Sequence, residues 1–169
     1  MTADAAKAAA LLFVAVVLQV SALWTSLVDL PLVTLASIAL LRGSMLGAFA
    51  GFWAGLLLDT ATLGTLGFSS LLLTLAGFWT GRYGETTGRD RGHAPFTSVA
   101  VITALTTVGA PVLHYLLGEA APARLVLVDT LPKEIVLNVL LTLPVYGLCR
   151  RLFPSREASG RIGEVRLLG

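Results

Sequence analysis

Six apolar stretches, separated by short polar or charged breaks, organise the chain. The first runs from Ala8 to Trp24 behind Lys7. Val20-Ser21-Ala22 loosely resembles a signal-peptide cleavage site, but Thr25-Ser26 leads at once into a second stretch, Val28 to Leu41. The first stretch therefore reads as an uncleaved helix in a tight hairpin with the second. Pro31 stands near the start of the second stretch, where a missing N–H costs little, and Arg42-Gly43 closes it. The third covers Ser44 to Leu58 and stops at Asp59, followed by the small polar turn Thr60 to Thr65. The fourth, Leu66 to Thr80, ends in Gly81-Arg82-Tyr83-Gly84, and the charged segment from Gly81 to His93 is expected in water. The fifth runs from Pro95 to Leu117. A mixed segment with Glu119, Arg124 and Asp129 separates it from the sixth, which starts near Pro132 and reaches Leu148 or Phe153.

About 20 apolar residues cross the hydrocarbon core of a bilayer, so this pattern predicts an all-α, six-transmembrane-helix bundle. Residues 1–153 form the transmembrane domain and residues 154–169 a polar cytoplasmic tail. The second to fourth stretches are short for upright helices. They are expected to tilt, extend into their loops, or lie partly within the protein.

Composition supports the same class. Charged residues make up 13% of the 169 positions and hydrophobic ones 56%, with a mean hydropathy of +0.84. Soluble domains carry roughly 25% charged residues, so this chain lacks the charge to coat a water-soluble sphere. A net charge of +2 gives no reason to expect a nucleic-acid partner. Cys149 is the only cysteine, which rules out an intramolecular disulfide. Beside Arg150 and Arg151 it is either an activated thiol or, more simply, a small apolar helix residue.

The basic residues orient the chain. With both termini in the cytoplasm, the inner segments hold Lys7, Arg42, Arg82, Arg89, Arg91, Arg150, Arg151, Arg156, Arg161 and Arg166, and the outer ones only Arg124 and Lys133. The opposite orientation would invert that distribution against the positive-inside rule.

Gly43, Gly47, Gly51 and Gly55 recur every four residues along the third stretch, with Asp59 one step further. Steps of four hold them near one helix face. Small residues allow the close backbone approach that drives helix association in lipid. Two readings stand side by side: packing against another helix of the same chain, the fourth or sixth, or a docking groove for a partner's transmembrane helix. Ser70, Thr74, Gly77 and Gly81 give the fourth stretch a related face. Asp59 suits a loop or helix-cap role, or else a carboxylate facing a cavity. Gln19, Asn138 and Thr142 suit interhelical polar packing, and for Asn138 ligand contact is the alternative. His114 reads as structural or interfacial, since a proton relay would require Asp59 at the same depth.

No nucleophile elbow, phosphate loop or zinc motif is present, and His93 and His114 fall at opposite membrane faces. Neither catalytic residues, cofactor nor metal is expected.

The segment from Leu41 to Tyr83 carries a more specific pattern: Gly51-Phe-Trp-Ala-Gly-Leu-Leu-Leu-Asp59, then Leu63-Gly64-Thr65-Leu66-Gly67, then Gly77-Phe78-Trp79-Thr80-Gly81-Arg82. It resembles the central signature of the rod shape-determining protein MreD family. Leu137-Asn138, Leu143-Pro144-Val145-Tyr146 and Arg150-Arg151 are similar to that family's last helix. The resemblance implies a non-enzymatic scaffold of the cell-elongation machinery in the bacterial inner membrane. It also implies a single-pass partner, MreC, and through it a glycosyltransferase and a penicillin-binding transpeptidase that build peptidoglycan and maintain cell shape. It further implies a fold similar to the substrate-capture subunits of energy-coupling-factor vitamin transporters. The other functional class kept open is such a transport subunit, with Asn138, Asp59 and His114 holding a small molecule.

Overall fold

In the computed structural model, residues 2–21, 28–87, 93–116, 118 and 130–153 are described. The predicted Thr25-Ser26 hairpin, the basic residues Arg89 and Arg91, the segment around Arg124 and the tail from Pro154 lie outside them. Six helices make up the described residues: α1 (Thr2–Ser21), α2 (Leu30–Arg42), α3 (Ser44–Thr62), α4 (Phe68–Thr87), α5 (Ala94–Leu116) and α6 (Leu131–Leu152). Four of them, α1, α3, α5 and α6, are long and apolar enough to span a membrane.

The outside of the bundle is apolar. Phe13 and Leu18 on α1, Phe49 and Trp53 on α3, Trp79 on α4, Val101 on α5 and Leu140 on α6 are all largely exposed. In water such a surface would be an association liability, whereas in lipid it is the solvated face.

The core is built around α2. Every residue from Pro31 to Leu40 is buried, and α2 touches each of the other five helices. A helix apolar on all sides belongs at the centre of a bundle. At 13 residues it spans about 20 Å, well short of the ~30 Å hydrocarbon thickness. The short second stretch is therefore an internal helix sheathed by its neighbours.

Side-chain contacts fix an alternating up-and-down arrangement. At one end, Asp4 pairs with Arg42 at 3.2 Å and the Arg42 guanidinium lies 5.3 Å above the Phe153 ring. The start of α1, the end of α2 and the end of α6 thus meet there. At the other end Phe68 packs against His114, with ring centroids 4.5 Å apart. The start of α4 and the end of α5 meet there.

Two helices run on past the ends expected from the sequence. α3 continues through Thr60–Thr62, where a turn was expected. Its end is set by Leu63 in the left-handed region (φ 53°, ψ 30°), whose N–H donates to the Asp59 carbonyl. α4 continues to Thr87, past Gly81 and Gly84, which had read as stop signals. Those glycines serve close approach instead: a Cβ on Gly81 would stand 2.5 Å from Ser44 Cα, and one on Gly84 2.8 Å from the Leu40 carbonyl oxygen.

Candidate functional site

The most extensive helix pair is α3 with α4, and the glycine stripe forms its seam. A Cβ on Gly47 would meet the Gly77 carbonyl oxygen at 2.4 Å, and one on Gly77 would meet that of Gly47 at 2.2 Å. Gly51 lies against Leu73 and Gly55 against Ser70 in the same manner. Gly43 closes the row against Gly81. Of the two readings, intramolecular packing or a partner's docking groove, the first describes this structure: α4 of the same chain covers the stripe. Spacing alone put these glycines on one face without saying which helix would come to it.

Two carboxylates lock the ends of this pair. Asp59, 2% exposed near the end of α3, accepts hydrogen bonds from the Gly67 N–H (2.8 Å) and the Ser69 N–H (3.0 Å) at the start of α4. At the opposite end, Glu85 of α4 accepts from the Ser44 N–H at 2.7 Å and from the Ser44 hydroxyl at 3.0 Å, at the start of α3. Each helix ends in an anion that caps the other's N-terminus. Unpaired N–H groups and the positive end of the helix dipole favour negative charge at that place. Asp59 is thus a capping residue, and its cavity-facing and partner-docking roles are not realised in this packing. Sequence reasoning missed Glu85 because nothing local in Arg82–Thr87 indicates which helix start it meets.

A second polar network solves the problem posed by the short α2, which begins inside the bundle. Its first N–H groups are met by side chains of the neighbouring helices. The Asp29 N–H donates to Asn138 Oδ1 (3.0 Å) and the Leu30 N–H to Gln19 Oε1 (3.1 Å). Asn138, fully buried, also donates through Nδ2 to Thr103 Oγ1 at 3.2 Å. Its amide therefore joins α2, α5 and α6. Gln19 joins α1 to α2. Thr142 differs from the expectation: its hydroxyl donates back to the Asn138 carbonyl of its own helix at 2.7 Å. That is the usual local bond of a buried helical threonine.

Above this network lies a cavity of about 440 Å³ among α2, α3, α4, α5 and α6. Its walls are Pro31, Leu32, Leu58, Phe68, Leu72, Leu73, Ala110 and Pro111. Its polar groups come from Asp29, Ser69, Thr106, Thr107, His114, Thr130 and Glu134. Glu134 Oε2 accepts a hydrogen bond from the Thr107 hydroxyl, tying α5 to α6 at the rim. Of the three residues considered as ligand carriers, only His114 lines this space. Asp59 is committed to α4, and Asn138 lies beneath the cavity as a support. Asp29 was overlooked, although a carboxylate inside an apolar run is a signal the sequence carries.

No cluster of three or more potential metal ligands occurs among the described residues. Cys149 is buried in the core cluster with Phe153, a packing position.

An apolar exterior, an internal helix capped by side-chain amides and a glycine seam define a multi-pass helical membrane protein. The chain belongs to the rod shape-determining protein MreD family, whose family model matches residues 8–152, from the first helix through the last. Membership carries a role in determining cell shape. No curated protein and no solved structure matches the chain.

Proposed function

We propose that this protein is a non-enzymatic scaffold of the rod complex in the bacterial inner membrane, holding the transmembrane region of MreC. Through MreC it would support the glycosyltransferase and transpeptidase of lateral wall synthesis. The observation that carries this reading is the extent of the family match, residues 8–152, which takes in all of the bundle except the first residues of α1. Because α4 fills the glycine stripe, MreC is assigned to the lipid-facing surface.

Both termini are proposed to be cytoplasmic. Among the described basic residues, Lys7, Arg42, Arg82, Arg150 and Arg151 belong to the end of the bundle where Asp4 meets Arg42, and Lys133 to the other. That distribution supports the orientation. On this reading α2 and α4 complete six crossings, α2 sheathed by protein. Single cysteines at Thr86 and Thr62, in a Cys149→Ser background, test it: an impermeant maleimide added to intact spheroplasts should label Thr62→Cys and spare Thr86→Cys. The reverse pattern would refute the orientation.

The scaffold role is tested by depletion in a rod-shaped host together with co-purification of MreC. Expected are rounded cells, rescue by the full chain, and stoichiometric recovery of MreC in detergent. A photo-crosslinking residue placed in turn at Phe13, Trp53, Trp79, Val101 and Leu140 should trap MreC from one face. A protein that folds yet neither retains nor crosslinks MreC from any face rules the reading out.

The cavity favours a second reading, a small-molecule subunit related in fold to energy-coupling-factor capture subunits. Transport coupled to depletion of one solute, with cell shape intact, would select it.

A further inference from the structure

We infer that the cavity at the N-terminus of α2 binds a primary ammonium group carried on a small apolar body. This goes beyond the scaffold role and does not rest on it.

The depth of the site comes first. Asp29, immediately before α2, is level with Asn138, seven residues into α6, or about 10 Å below the start of that helix. The shortness of α2 thus leaves a recess about 440 Å³ in volume, large enough for a molecule of small-ligand size. Its wall is apolar on the side of Leu72 and Phe68 and polar where Asp29 and Glu134 converge.

The charge balance of the recess then selects the ligand. The described bundle holds five carboxylates, and four have a hydrogen-bond or ion-pair partner: Asp4 with Arg42, Asp59 with two backbone N–H groups, Glu85 with Ser44, and Glu134 with Thr107. Of these five described carboxylates, Asp29 alone makes no side-chain hydrogen bond or ion pair, and it faces Glu134 as a like charge. Among the described residues, no lysine or arginine lines the recess. A partly desolvated anion beside a second anion is unfavourable without a counter-charge. The other four described carboxylates are satisfied, so Asp29 is the one whose oxygens stand ready for a cationic donor.

An ammonium fits better than a metal ion. The two carboxylates stand among hydroxyl groups and an aromatic wall, which suit a donor of several hydrogen bonds attached to hydrocarbon. Such a group could come from a free amine or from the headgroup of an aminophospholipid entering from the bilayer.

The full chain, purified in dodecyl maltoside, is titrated with phenethylammonium, neutral 2-phenylethanol and anionic phenylacetate. Unfolding temperature and native mass spectrometry report occupancy. Phenethylammonium is expected to bind saturably and to raise the unfolding temperature, with the alcohol at least about ten-fold weaker, a factor worth 1.4 kcal/mol. Asp29→Asn should weaken ammonium binding by about the same factor and leave the alcohol unaffected. Glu134→Gln carries the same readout should the first variant not fold. Phosphatidylethanolamine added to the micelles distinguishes the sources: protection by that lipid, with loss of amine binding, identifies a headgroup, whereas an unchanged amine titration identifies a free amine. Equal affinity for ammonium and alcohol, or undiminished ammonium binding in either folded variant, overturns the proposal.

Discussion

Replacing Gly51 by alanine adds a single methyl group where the structure has no room for one. The new Cβ would lie 2.2 Å from the Leu73 carbonyl oxygen, 2.6 Å from its carbon and 3.0 Å from the Thr74 nitrogen. All three are backbone atoms, so no rotamer change can relieve the contact. Reaching an ordinary separation of 3.4 Å requires α3 and α4 to part by about 1.2 Å at this level. Parting loosens the Gly47–Gly77 and Gly55–Ser70 contacts on either side and stretches the Asp59 and Glu85 caps at the two ends. Overpacking of this kind costs about 1–3 kcal/mol.

Intrinsic helix propensity acts in the opposite direction, favouring alanine over glycine by about 0.5–1 kcal/mol. Gly147 supplies the control, because it is also inside a helix but has nothing within 4 Å of an added Cβ. Gly147→Ala is expected to be neutral or slightly stabilising. The propensity gain is common to both variants, so they should differ by the packing cost alone, about 1–3 kcal/mol. Equilibrium unfolding in mixed dodecyl sulfate and dodecyl maltoside micelles measures that difference. If the variants agree within about 0.5 kcal/mol, the size of an ordinary surface effect, the seam does not hold this pair together.

Three further outcomes follow from the same contacts. Asp59→Ala, measured in the same unfolding assay, should lose about 1–2 kcal/mol through the two freed N–H groups at the start of α4, and Asp59→Asn less. Asn138→Leu leaves the Asp29 N–H and the Thr103 hydroxyl without their partner and should cost about 1–3 kcal/mol for each buried group stranded. Amide exchange at Asp29 should accelerate in that variant and remain unchanged at Ser44. Leu63→Gly should stabilise by roughly 1 kcal/mol, since a left-handed backbone at an exposed leucine strains its Cβ; a destabilised variant would count against that cause.

The class of this protein was legible in its residues. Apolar runs broken by charges locate helices because an unpaired backbone cannot stay in lipid, and five of the six starts fall within two residues of prediction, the exception being α1, which begins before Ala8. The glycine row was equally visible, since a four-residue repeat on a 3.6-residue helix must share a face. Which helix lies against that face was not, because four-residue spacing describes one surface and packing requires two. Gly81 and Gly84 were misread for the same reason: locally they resemble a stop, and only the nearness of Ser44 and Leu40 makes them contact points. The amide of Asn138 reaches Asp29 across 109 positions and Glu85 reaches Ser44 across 41. Sequence fixes which groups need partners. The path of the chain in three dimensions decides who meets them, and it leaves Asp29 at the edge of a recess with its carboxylate unmatched.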